Sequence, residues 1–197
     1  MSRASAIRPL LILLLLALGA CNQPPPPRPA LGDLHFTSEP PIELDVRRIE
    51  IVPRFRPGAD TAHIEERPPL ALPHVAENWA RDRLRAAGTQ GVAVATITDA
   101  SVIETKLPTD QSLSGMFTRQ RDTRYDASVA ITVEVRDDRG AVVRQAMASA
   151  QRSITTIEGI TLDERDRTLY QLETDLMSDL DRELDRQIRD RFGYYVR

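Results

Sequence analysis

The feature that most constrains the fold is an unbroken alternation of side chains from Tyr125 to Val135. One set of alternate positions is entirely apolar and consists of Tyr125, Ala127, Val129, Ile131, Val133 and Val135. The positions between them are polar except for Ala130. Because successive side chains of a β-strand point to opposite faces, this run predicts a strand with one buried and one solvent-facing side. Such strands are typical of antiparallel sheets.

Two more strands are expected beside this one. The turn residues Asp137-Asp138-Arg139-Gly140 predict a hairpin into a return strand from Ala141 to Ile154. That segment is rich in alanine and serine, and a helix over the same residues is the alternative. Val92 to Leu107 is rich in β-branched residues, which favours a strand before the hairpin.

An earlier strand is predicted over Glu43 to Val52, where the alternation of apolar residues changes parity at Arg47-Arg48. A change of parity indicates a β-bulge, or burial of both faces beyond it. Pro53 ends the strand, and residues 54 to 72 read as a loop because they are rich in proline and charge.

A first helix is predicted from Pro73 to a stop at Gly88. Its apolar residues recur at helical spacing and are Val75, Ala76, Trp79, Ala80 and Leu84. Trp79, the single tryptophan, is expected to anchor this helix on the sheet.

A long second helix is predicted over residues 162 to 192, between a capping box at Thr161 to Glu164 and a stop at Gly193. Its apolar residues lie four apart and are Leu172, Leu176, Leu180, Leu184, Ile188 and Phe192. Each step of four overshoots a helical turn by about 40°, so the stripe winds around the helix. This winding predicts an oblique crossing of the sheet; a second apolar surface near the C-terminal end is the alternative.

Together these elements predict an α+β fold. We expect a two-layer domain over residues 42–197, with helices on one face of a mostly antiparallel sheet. Roughly 155 residues suffice for one domain with its own core.

The N-terminus is typical of a secretory signal peptide over residues 1–20. Arg3 and Arg8 precede an apolar run from Leu10 to Ala20, which as a helix would reach roughly 16 Å and cross about half a bilayer. The tetrapeptide Leu18-Gly19-Ala20-Cys21 resembles the lipobox of bacterial lipoproteins. This resemblance implies that Cys21, the only cysteine, becomes the N-terminus and carries diacylglycerol and a further acyl chain such as palmitate.

The resemblance also implies where the anchor goes. Asn22, in place of aspartate, implies the periplasmic face of the outer membrane of a Gram-negative cell, with an inner-membrane anchor as the alternative. A plain signal peptide with a spare thiol is the competing interpretation of Cys21. Residues 21–41 follow as a proline-rich tether, in which Pro24 to Pro29 favour an extended spacer.

Composition and motifs point away from catalysis. The formal net charge is −3 and basic residues do not cluster, which argues against a nucleic-acid partner. His35, His63 and His74 lack the spacing of metal ligands, and no nucleophile elbow or phosphate-binding loop occurs. We therefore expect a non-enzymatic protein without cofactor, metal or catalytic residues.

The segment 108 to 124 is the candidate contact region for a partner or a lipid surface. Its apolar residues are followed by basic ones, and the candidates are Leu113, Met116, Phe117, Arg119 and Arg121. The alternatives are that the apolar side chains fold back on the domain or that the segment is an irregular hairpin.

The strand LDVRRIEIVP, the helix containing NWARDRL, the strand pair around YDASVAITVEVRDDRGAVV and the closing helix resemble auxiliary lipoproteins of ABC-type lipid transporters. That resemblance implies a membrane-anchored periplasmic subunit of an envelope complex that moves lipids or hydrophobic compounds. The alternative is an assembly or structural lipoprotein that supports outer-membrane or cell-wall machinery.

Overall fold

The computed structural model describes residues 31–58, 60, 62–67, 69, 71–109, 112 and 119–197. The elements are β1 (Ile42–Leu44), β2 (Arg48–Pro53), α1 (Leu72–Arg83), β3 (Leu84–Ala86), β4 (Val92–Lys106), β5 (Arg121–Arg136), β6 (Val142–Ile157) and α2 (Leu162–Phe192). A short 3-10 turn, Gly193–Tyr195, follows α2.

The main sheet has four strands in the order β2-β4-β5-β6. The β4–β5 and β5–β6 pairs are antiparallel, whereas β2 lies parallel to β4. The short strands β1 and β3 form a separate parallel pair. Helix α1 packs on β2 and β4, and α2 packs on β5 and β6. This arrangement confirms the predicted α+β fold with its long C-terminal helix.

The alternating run of β5 is buried as predicted. Its six apolar positions are at most 2% exposed, and they face the helices across the core. The return segment is a strand, so the helical alternative for it was wrong. Ala146 and Ala148 of β6 are buried in the core, and their small side chains let α2 approach the sheet.

The predicted strand over Glu43 to Val52 is in fact two strands in two different sheets. Between them, Asp45 donates its backbone N–H to the Tyr195 carbonyl at 2.8 Å, and Arg47 donates to the Gln90 carbonyl at 3.2 Å. The parity change at Arg47-Arg48 therefore marks a passage from one sheet to the other. The predicted bulge was wrong because the backbone groups of this passage bond to distant loops.

Helix α1 ends at Arg83, five residues before the predicted stop at Gly88. Leu84 leaves the helix and pairs with Ile42 of β1. A side chain at Gly88 would lie 2.6 Å from the Asp45 carbonyl carbon, so glycine permits this close crossing. Leu84 is buried in the strand as it would be in a helix, which explains why the helical spacing of apolar residues included it.

Strand β5 begins at Arg121, four residues before the predicted start, and pairs there with Ile157 of β6. The excursion between β4 and β5 therefore occupies residues 107–120 instead of 108 to 124. The segments 113–118 and 110–111 lie outside the described residues.

Helix α2 has the predicted bounds. The Thr161 hydroxyl accepts the Glu164 N–H at 3.2 Å, and Glu164 Oε2 accepts the Thr161 N–H at 2.8 Å, which completes the capping box. All six residues of its apolar stripe are buried. The helix is therefore held on the sheet along the length of this stripe.

Burial of this stripe makes a prediction for two matched substitutions on α2. Leu176→Asp places a carboxylate where the side chain is 0% exposed, and we expect the free energy of unfolding to fall by about 3 kcal/mol or more. Leu162→Asp, at a position 60% exposed in the first turn, should change it by less than about 0.5 kcal/mol. Urea denaturation measures both. Equal losses would mean that α2 is not docked through this stripe.

Candidate functional site

A cavity of about 560 Å³ lies between the chain segment that leads into β1 and one side of α2. The leading segment contributes apolar and polar side chains, and α2 contributes charged ones. The principal lining residues are Leu34, Phe36, Glu39, Arg83, Asp181, Arg182, Asp185 and Arg189. This volume is within the range of small-molecule sites in proteins.

The leading segment is fixed to the fold by hydrogen bonds to α1. Asp82 Oδ2 accepts the Phe36 backbone N–H at 2.9 Å and lies 3.0 Å from His35 Nδ1. The Asn78 amide donates to the Leu34 carbonyl at 3.4 Å. Leu34 is buried, so the last part of the predicted tether forms one wall of the cavity.

The floor of the cavity is an ion cluster around one buried cation, and its two carboxylates are partly exposed. Arg83 is 4% exposed; its Nε donates to Asp181 Oδ1 at 2.7 Å and its Nη2 to Asp185 Oδ1 at 3.3 Å. The Trp79 indole N–H donates to the same Asp181 oxygen at 2.8 Å. Arg83 also donates to the Pro40 carbonyl. A planar guanidinium suits this role because its five N–H donors can reach several acceptors at once.

Trp79 was predicted to anchor α1 on the sheet, and it is fully buried in the core. Its hydrogen bond to α2 was not predicted. Trp79 and Arg83 are four residues apart on α1, and Asp181 and Asp185 are four apart on α2. This matched spacing places each pair on one helix face, but it does not by itself show that the two faces meet.

The cavity combines an apolar wall with charged groups. Leu34 and Phe36 supply apolar surface, while Glu39, Arg182 and Arg189 supply charged groups. Arg182 is paired with Asp179 and Arg189 with Asp185. The acidic groups of the floor are paired with Arg83. The arrangement suits a ligand with an apolar body and a polar head group more than it suits proton transfer.

Two histidines each contact one carboxylate. His63 Nδ1 lies 3.0 Å from Oε1 of buried Glu65, which also accepts the Val102 N–H at 3.2 Å. His35 contacts Asp82, and His74 is exposed. In the described parts of the chain, no group of three His, Cys, Asp or Glu residues could hold a metal ion.

The predicted contact residues fall partly outside the described structure. Leu113, Met116 and Phe117 are not among the described residues, and neither is Cys21. Arg119 and Arg121 are exposed at the start of β5 and do not line the cavity. The contact role of these five residues stays a prediction.

A second buried carboxyl group, that of Glu173, lies on α2 with no cation paired to it among the described residues. Glu173 is 4% exposed between buried Leu169 and Met177, and burial raises its pKa to about 8. Among the described residues, its Oε2 accepts no hydrogen bond. Each unit of pKa shift corresponds to about 1.4 kcal/mol, so the ionised form destabilises the fold by several kcal/mol at high pH.

This burial predicts a pH-dependent effect of Glu173→Gln. Above about pH 4.5 the unfolded chain loses this proton while the folded chain keeps it up to about pH 8, so wild-type stability falls across that window. Glutamine stays neutral, and we expect the variant to gain melting temperature over wild type at pH 8 and not at pH 4.5. Glu183→Gln, on an exposed carboxyl whose pKa is lowered by hydrogen bonds from Gln187 and Arg186, should show no such gain. If the melting temperatures of Glu173→Gln and wild type differ by the same amount at both pH values, the burial of Glu173 is contradicted.

No protein-family profile and no curated protein sequence matches the chain. Among solved structures, it is similar to a minor lipoprotein of Acinetobacter baumannii, with 14% identity, a TM-score of 0.39, and coverage of 74% of this chain and 92% of that one. It is also similar to rare lipoprotein B of Shewanella oneidensis, with 11% identity, a TM-score of 0.37, and coverage of 71% and 92%. Likeness at these TM-scores transfers neither a site nor an activity to this chain.

Proposed function

We propose that the chain is a lipoprotein anchored through Cys21, whose folded domain is a non-enzymatic binding subunit of an envelope complex for lipids or other hydrophobic compounds. The anchor rests on the Leu18-Gly19-Ala20-Cys21 sequence after a short apolar run. Asn22 favours the outer membrane as its destination. No helix in the described ranges is long and apolar enough to cross a bilayer.

The observation that carries the binding role is that the segment from Leu34 to Pro40, which lines the cavity, is held to helix α1 by hydrogen bonds. Twelve residues, 22 to 33, separate Cys21 from Leu34. A proline-rich spacer extends about 3.1 Å per residue, so this one reaches at most about 40 Å. An anchored chain would therefore keep the cavity within about one bilayer thickness of the membrane surface.

The cavity chemistry supports an amphipathic ligand. Leu34 and the Phe36 ring are apolar, and the guanidinium groups of Arg182 and Arg189, which donate to Asp179 and Asp185, are the cationic groups that a phosphate or carboxylate head group would approach. Such a ligand class fits an auxiliary subunit of a lipid transport complex.

The anchor is tested by labelling cells with a palmitate analogue. Wild type should carry the label and fractionate with the outer membrane, whereas Cys21→Ser should lose the label and leave the membrane fraction. Asn22→Asp is the matched control: it should keep the label and move to the inner membrane. A labelled, membrane-bound Cys21→Ser protein would refute lipidation at this residue.

The ligand class is tested by titrating the protein with a fluorescent fatty acid. Phe36→Asp puts a carboxylate on the apolar wall, and we expect affinity to fall at least tenfold, which corresponds to about 1.4 kcal/mol. Phe55→Asp is the control, because Phe55 is also half-buried against the core but lies outside the cavity. Equal effects of the two substitutions would show that the fatty acid does not bind there.

A further inference from the structure

Strand β6 leaves one edge of the main sheet open. It is the last strand in the order β2-β4-β5-β6 and is 16 residues long. Within the described residues, the backbone of β6 forms a ladder with β5 alone, and no turn or loop backbone bonds to Val142–Ile157. Its second row of peptide groups is therefore available to another chain.

The register shows which peptide groups face this open edge. The Val102 carbonyl of β4 accepts the Ile64 N–H at 2.9 Å and so points away from β5. Its antiparallel partner Ala127 must then turn its peptide groups toward β6, where it bonds to Arg152. Because the pattern alternates, the even positions of β6 pair with β5. The odd positions face the edge, and they are Gln145, Met147, Ser149, Gln151, Ser153 and Thr155.

The two edges of the sheet differ in the features that prevent pairing with other chains. Strand β2 is six residues long, carries the charged residues Arg48 and Glu50, and ends at Pro53. Strand β6 contains no proline, glycine or lysine, and its stretch from Gln145 to Gln151 is uncharged. Charges, lysine, proline and short length are the usual protection of edge strands. The sequence protects β2, whereas on β6 the protective features are confined to the flanks of the uncharged stretch, where Arg144 and Arg152 lie.

The position of α2 disfavours a second copy of this chain as the occupant. Arg152 of β6 donates to Asp179 of α2 at 2.6 Å and lies 3.7 Å from Asp175, so α2 lies over β6. Two β6 strands paired edge to edge would be about 4.8 Å apart, whereas packed helices need 8–10 Å between their axes. The chain's own spacer is disfavoured too, because the prolines of Pro24 to Pro29 have no N–H to donate.

We propose that β6 binds an extended segment of a partner protein, which adds to the sheet as a fifth strand. The exposed side chains from Gln145 to Gln151 are uncharged, and Met147 among them is 60% exposed. The bound segment therefore has small or apolar side chains on the face that Met147 shares, and it carries no helix over β6. This edge shares no residue with the cavity, and its use does not depend on lipidation of Cys21.

Photocrosslinking in cells that express the full chain tests the proposal. A photoreactive amino acid is placed in turn at Gln145, Met147, Ser149 and Gln151, and at Glu50 on β2 as the control. An added strand requires the crosslinked position on one partner segment to move by two residues for each step of two along β6. Crosslinks between two copies of this chain, crosslinks without this step, or no crosslinks would overturn the proposal.

A proline substitution provides the second arm. The Ser149 N–H faces the open edge, so Ser149→Pro removes a donor for the added strand without removing a bond to β5. We expect the Met147 crosslink to fall at least tenfold in Ser149→Pro and to persist in Ser149→Ala. An unchanged crosslink in Ser149→Pro would overturn the proposal. If this variant melts early, the stepwise crosslinks of the other positions decide. Lipid labelling of Cys21 in the same cells shows separately whether the anchor is present.

Discussion

One buried cation joins three separate parts of the chain. Arg83 bonds α1 to α2 through Asp181 and Asp185, and it bonds both to the leading segment through the Pro40 carbonyl. Removing one partner from a buried ion pair is costly, because the charge left behind has lost its water as well. The relative placement of the two helices and the cavity wall therefore depends on this cluster.

The parts of the fold that were predicted correctly have strong local signals. Strand β5 alternates apolar and polar residues over eleven positions. Helix α2 has a capping box, apolar residues four positions apart and a terminal glycine. Strand β3 was not predicted and β1 was merged with β2 into one strand, because β1 and β3 have three residues each and pair with a distant partner. Three residues cannot show a period. The helical spacing of apolar residues extended to Leu84 because Leu84 is buried, and a residue of a short strand can be buried equally well.

The site was harder to predict than the fold. The pairs Trp79 with Arg83 and Asp181 with Asp185 were visible as i, i+4 spacings, but exposed helix faces show the same spacing of charges. On α2, Arg189 and Asp185 also form an i, i+4 pair near the surface. Only the packing of α1 against α2 distinguishes the buried cluster from the exposed pairs.

The domain has two separate surfaces with different chemistry. The cavity has an apolar wall and ion-paired polar walls, and it lies where the spacer joins the fold, which suits an amphipathic ligand drawn from the membrane. The open edge of β6 offers peptide groups beside uncharged side chains, which suits an extended protein segment. A subunit that receives a hydrophobic compound and also attaches to a larger complex needs both kinds of surface.

The most direct test of the central claim is a double-mutant cycle between Arg83→Met and Asp181→Asn, measured by urea denaturation of the two single variants and the double variant. Substitutions within one hydrogen-bonded ion network have non-additive effects on the free energy of unfolding, and we predict a coupling energy of at least about 1.5 kcal/mol. Effects that add to within about 0.5 kcal/mol would contradict it, because independent residues behave in that way.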